Sequence, residues 1–168
     1  MNIFNNIGNK DEFVPVLKNN NRYIVSFDIK KMSGDSLDGT PSELYTWKSF
    51  IYNPAVNKKS IIDTIYDIIN QNVAYLIENT FTWNNYSVHL DKENQMNYKA
   101  AFDLSVITEG ESLPVTFRFH KGKNTELYTF ETISELKDFY LKMNAHINKC
   151  LQFGWAKKDS LNESDYKI

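Results

Sequence analysis

Apolar residues recur along this chain at two different periods, and the switches between those periods mark out its elements. Ile61, Ile65, Ile68, Ile69, Val73 and Leu76 follow one another at three- and four-residue steps, which places them on one stripe of an α-helix. Ser60 or Asn57 stands where an N-cap is needed. A second run, Ile133, Leu136, Phe139, Tyr140, Met143, Ile147, Cys150 and Leu151, opens on the capping-box pair Thr132 and Glu135. Gly154 is expected to end that helix, with Trp155 folding back as a hydrophobic cap contact. A third helix, KENQMNYKAAFDLSVIT, is capped by Asp91 and closed by Gly110. Met96, Ala100, Leu104 and Ile107 line one of its faces, with Tyr98, Phe102 and Val106 offset. An apolar surface that wide is expected to touch both a sheet and a neighbouring helix. The expected spans are roughly 60–78, 92–108 and 133–153.

Elsewhere the period is two. Tyr23, Val25, Phe27 and Ile29 alternate with other residues, and Leu44 to Tyr52 carries Tyr45, Trp47 and Ile51 on one face before Asn53-Pro54 ends it. These strands make an antiparallel pair, separated by the loop KKMSGDSLDGTPSE. FTW-NN-YSV reads as a tight hairpin, because a two-residue turn needs positive φ and asparagine tolerates it. Val115, Phe117 and Phe119 alternate with Thr116, Arg118 and His120, KGKNTE turns the chain, and LYTF returns. Residues 1–21 read as a polar, Asn-rich arm with scattered anchors at Phe4, Ile7, Phe13, Val14, Val16 and Leu17. The expected order is β-β-α-(β-hairpin)-α-β-β-α, an α+β fold of small antiparallel sheets with three helices. It divides into an arm (1–21), a strand pair (22–56), a main domain (57–161) and a polar tail (162–168). Ile65, Ile69, Leu104, Phe117, Phe139, Met143 and Ile147 are the expected core.

Composition narrows the class. Apolar residues make up 42% and aromatics 14% of the 168 residues, enough for a real core and against disorder. A net charge of −2 and a pI of about 5.9 give no basic footprint for nucleic acid. The short lysine pairs, such as Lys30-Lys31 and Lys157-Lys158, read as solvated surface. The single cysteine, Cys150, rules out an intrachain disulfide and reads as a small buried hydrophobe. No secretory leader pattern opens the chain, and no run nears the roughly 18–20 apolar residues of a membrane span. The expectation is a product made in the cytoplasm, with no membrane partner. Abundant asparagine reads as nucleotide bias, because hydrophobic periodicity persists between the Asn clusters.

Catalytic patterns are missing from the sequence. His89, His120 and His146 sit on three different elements, with no HxH, HExxH or Cys/His spacing. Isolated histidines of this kind are ordinarily surface or boundary residues. There is no GxSxG elbow, and SGDSLDGT is neither GxGxxG nor a P-loop. DKEN and NESD lack EF-hand spacing. The expectation is therefore no catalytic, cofactor or metal residues. Phe81, Trp83 and Tyr86 form either a contact patch or core: Trp83 is an interface candidate if exposed and core if it packs under the following helix.

At WNNYSVHLDKENQMNYKAAFDL the chain resembles an uncharacterised domain family of phages and prophages, common in phages of gut bacteria, crAss-like phages among them. LPVTFRF, the Tyr-x-Phe strand, SELKDFY and the closing GWAKKDSL continue the likeness in order, over Lys58 to Leu161. Members are small proteins, or C-terminal parts of proteins, encoded near tail and fibre genes, and no catalytic set comes with them. The resemblance implies a virion structural protein, tail- or fibre-associated, made in the host bacterial cytoplasm. The alternatives are a head-decorating or head-fibre-anchoring protein, or a fibre-assembly chaperone absent from the mature particle. Its implied partners are other phage structural proteins, in a homo-oligomer or symmetric assembly. On the residues, Phe4, Ile7, Phe13, Leu17, Trp83 and Tyr86 are the interface candidates, and residues 1–20 are expected to pack on another chain.

Overall fold

The computed structural model describes residues 1–32 and 43–168. Among the described residues the chain is α+β: three α-helices and two four-stranded antiparallel sheets. It forms two compact units, one of residues 1–69 with 157–168 and one of residues 70–156. Most of the loop expected at 30–43, including Gly34 and Gly39, lies outside the described residues.

The first unit corrects the expectation of an arm. Residues 1–21 supply β1 (Ile3–Gly8) and β2 (Val16–Asn19), joined by a 3-10 turn at Lys10–Glu12. With β3 (Arg22–Lys31) and β4 (Tyr45–Tyr52) they form one sheet in the order β1-β4-β3-β2. β1 is held along its whole length, from Ile3 opposite Phe50 to Gly8 opposite Tyr45. β2 and β3 form a hairpin around Asn20-Asn21, and Asn20 takes the positive φ (52°) that the turn requires. The observed order therefore has two strands before the expected pair.

β3 is interrupted by a bulge. Phe27 pairs with Lys48 and Lys30 with Thr46, so Asp28 and Ile29 together stand against Trp47 alone. Asp28 adopts φ 59° there and turns a half-buried carboxylate toward Lys157, Lys48 (3.7 Å) and Lys30 (4.0 Å). The register sorts the sheet into two faces, since residues directly opposite share a face. One carries Val25, Phe27, Phe50 and Tyr52, all buried. The other carries Phe4, Leu17, Ser26, Trp47, Ser49 and Ile51. Ile61 and Ile65 at the start of α1 (Ile61–Asn79) add to the unit's buried set. Ser60 caps that helix by accepting from the Asp63 N–H (3.1 Å), while Asn57 accepts from the Asn53 N–H instead.

The tight turns and helix N-caps of the second unit fall where its sequence places them. β5 (Thr82–Trp83) and β6 (Tyr86–Ser87) close on Asn84 and Asn85, with φ 46° and 65°, as a type I′ turn demands. β7 (Val115–Lys121) and β8 (Asn124–Phe130) turn at Gly122, whose φ of 62° lies at the first central position. The sheet order is β5-β6-β7-β8. Asp91 caps α2 (Lys92–Ile107) through the Asn94 N–H at 2.7 Å. Thr132 accepts from the Glu135 N–H (3.2 Å) at the start of α3 (Ile133–Asp159). The Glu135 carboxylate takes the Tyr128 hydroxyl and the Glu131 N–H, so the capping box is only half formed.

Aromatic side chains fill this core: Phe81, Trp83, Tyr98, Phe119, Phe130 and Phe139, with Val88, Leu90, Leu136 and Met143. Phe139 is its hub, with ring centroids of Trp83, Tyr98, Phe119 and Phe130 all between 5.1 and 5.6 Å away. Such edge and stacked pairs add about 0.5–1.5 kcal/mol each beyond their buried area. Three expectations are corrected here. Leu104 is 51% exposed, because α2 turns Tyr98, Ala101, Phe102 and Ser105 inward and leaves Met96, Leu104 and Ile107 outside. Phe117 and Ile147 are half-buried, packed on the core's edge. α3 does not stop at Gly154: that glycine is buried within the helix, which runs to Asp159, and Trp155 is 57% exposed.

Candidate interaction surfaces

The second face of the N-terminal sheet has its own construction. At its centre the Asn6 side-chain amide donates to Ser49 Oγ (2.9 Å) and, more weakly, to the Trp47 carbonyl (3.4 Å). Ser49 Oγ lies 3.0 Å from Ser26 Oγ. This polar rung runs across β1, β4 and β3, and both serines are buried. Its partners are amide, hydroxyl and carbonyl groups, with no general base among them, so it offers no activated nucleophile. Its physical role is to satisfy polar atoms on a sheet face whose flanks are apolar.

Those flanks are solvent-accessible. Phe4 and Leu17 are each 50% exposed and Ile51 is 47% exposed, on the face that holds the serines. A groove of about 740 Å³ opens there, lined by Phe4, Asn6, Asn19, Ile24, Ser49 and Ile51, among others. At the other end Phe13 meets Trp47 edge-on at 6.1 Å. Trp47 also lies against Gly8, where an added Cβ would come within 3.0 Å of the indole. The edges of this face present apolar side chains and amides together.

The six interface candidates thus scatter. Phe4 and Leu17 share the open face, and Ile7 is exposed on the opposite side of β1. Phe13 is half-buried against Trp47. Trp83 is a correction: it is core, 3% exposed, with its indole N–H donating to Asp138 (3.0 Å). Tyr86 is half-buried, its ring 5.3 Å from that of Tyr128 and its hydroxyl donating to Glu126 at 3.3 Å. Sequence reading missed the rung of Asn6, Ser26 and Ser49. Only Ser26 and Ser49, at alternating positions with apolar neighbours, carried any signal of it.

The second unit adds an exposed stripe on α2, Met96, Leu104 and Ile107, beside the Lys99–Asp103 ion pair. A shallower groove of about 350 Å³ runs between α2 and α3, lined by Met96, Lys99, Tyr140 and Ile147. Lys142 and the Trp83 N–H hold the Asp138 carboxyl below its ordinary range. Burial raises the Cys150 thiol above its ordinary range. His89 and His120 are exposed, and His146 lies 3.2 Å from the Leu76 carbonyl. Among the described residues, no group of three or more His, Cys, Asp or Glu side chains is placed to hold a metal. No helix among them is long and apolar enough to cross a membrane. No family model, curated protein or solved structure matches the chain.

Proposed function

We propose that this chain is a bacteriophage virion structural protein, tail- or fibre-associated, that works through protein–protein contacts. One observation carries the reading: Phe4, Leu17 and Ile51 stand half-exposed around a hydrogen-bonded polar rung on one sheet face. Apolar side chains around fully satisfied polar atoms suit a surface that is dehydrated by a partner. A reacting centre would instead need a base or an electrophile beside the serines. The resemblance of residues 58–161 to a phage domain family supplies the setting.

Mass spectrometry of purified particles of the encoding phage tests this. The chain is expected among the particle proteins, in tail or fibre fractions. Recovery with heads would favour the head-decorating alternative. Absence from particles, with co-purification alongside unassembled fibre protein, would replace the reading with that of a chaperone.

A further inference from the structure

The two edges of the N-terminal sheet are not equivalent. β2 is short, at four residues, follows Pro15 and carries Lys18. A short strand, a proline and a lysine are the ordinary devices that keep an edge from recruiting another strand. β1 has none of them. Its six residues, Ile3-Phe4-Asn5-Asn6-Ile7-Gly8, include no charge and no proline. Among the described residues no strand flanks it on its outer side. Among those residues its outward N–H and C=O groups have no strand partner, and Ile3, Phe4 and Ile7 are exposed.

We infer that β1 pairs antiparallel with β1 of a second copy of this chain, joining the two sheets edge to edge. The sequence of the strand matches itself under that operation. A two-fold axis perpendicular to the sheet keeps each face continuous, so residues of like parity must stand opposite one another. Centred on Asn5, the register sets Asn5 against its own counterpart, Ile3 against Ile7 of the other copy, and Phe4 against Asn6. Apolar meets apolar on one face, and an aromatic ring covers the amide on the other. A register centred on Asn6 sets Ile7 against Asn5 and Phe4 against Gly8, and loses both matches. Because the strand is uncharged, no like charges face each other across the axis. The paired sheets present two copies of the open face side by side, as a symmetric assembly requires. A six-residue ladder falls at the small end of stable interfaces, below about 1,200 Å², so the dimer is reversible and concentration-dependent.

This inference rests on the reading that the chain acts by contacts, and its test is independent of the particle. Sedimentation equilibrium of the full chain should show a monomer–dimer equilibrium at micromolar concentrations. Asn5→Glu places a carboxylate opposite Lys48 within the monomer, a favourable neighbour, and against its own copy across the axis. It should weaken dimerisation by about tenfold or more without loss of fold. Asn5→Cys should oxidise to a covalent dimer, since the central pair brings the two Cα atoms within about 4.5–5.5 Å. Leu17→Cys, on the guarded edge, should not, and the buried Cys150 does not compete. A wild-type chain that stays monomeric at about 100 μM, a scale set by weak interfaces, overturns the proposal. So does a dimer that ignores Asn5→Glu and cannot be cross-linked at position 5. A monomeric chain still found in particles would reject the self-pairing and leave the proposed function standing.

Discussion

The two units are built from similar residues and close themselves in different ways. In the second, Trp83, Tyr98, Phe119, Phe130 and Phe139 turn toward one another, and the indole N–H of Trp83 finds a carboxylate. In the first, one sheet face holds Val25, Phe27, Phe50 and Tyr52 out of water, while the other leaves Phe4, Leu17 and Ile51 half-exposed around buried serines. Burial at about 25 cal/mol per Å² makes the first kind of face a source of stability, and the second becomes one only when something covers it. In a chain without a catalytic pattern, contacts are best sought at the face whose apolar side chains stay half in water. The exposed stripe on α2 is the second unit's weaker version of the same feature.

The largest effect should come from the hub of the closed core. Phe139→Ala removes a ring that touches Trp83, Tyr98, Phe119 and Phe130, and should cost about 3–5 kcal/mol in urea or thermal unfolding. A cost below about 1 kcal/mol would mean that the core repacks and that the contrast between the units is wrong. High pH probes both units at once. Burial pushes the Tyr98 hydroxyl up to about 12 in the second unit and Tyr166 up to about 12 in the first. The unfolded chain loses these protons near pH 10 and the folded chain keeps them, so stability should fall as pH rises from about 10 to 12. Below pH 10 these groups add no slope. Each contributes at most about 2 kcal/mol once solvent screening is discounted. Denaturation midpoints for Tyr98→Phe and Tyr166→Phe should show a shallower alkaline decline than wild type.

Smaller changes address the open face. Ser49→Ala removes the hydroxyl that serves both Asn6 and Ser26 and should cost about 1–2 kcal/mol by equilibrium unfolding. A neutral result would mean that water replaces the hydroxyl and that the rung is already wet. The smallest effect on stability is expected for Ile51→Ser, within about 0.5 kcal/mol of wild type because the side chain is already half in water. On the proposed function, incorporation into particles, read by quantitative mass spectrometry, should nevertheless drop. If stability falls instead and incorporation does not, Ile51 is a structural residue and the face is no docking surface.

Local physics makes the helices, the hairpin turns and their caps legible in the residues themselves. The Ile61–Leu76 and Ile133–Leu151 stripes, the positive φ at Asn84 and Asn85, and the caps at Ser60, Asp91 and Thr132 all depend on residues within a turn or two of each other. Long-range pairing decided the rest. β1 reads as an irregular arm because its partner, β4, lies some 40 residues away, and a strand's stability lies in its neighbours more than in its own residues. The same distance hid the rung, whose members come from three strands. α2 has two apolar stripes, and periodicity does not say which faces inward; the rings of Phe117 and Phe139 chose Tyr98. Gly154 punctuates a helix in the sequence and sits inside one in the structure, since a local preference of about 1 kcal/mol is a weak prior that tertiary context overrides. The open face was beyond the sequence for the same reason: exposure is set by what the rest of the fold leaves uncovered.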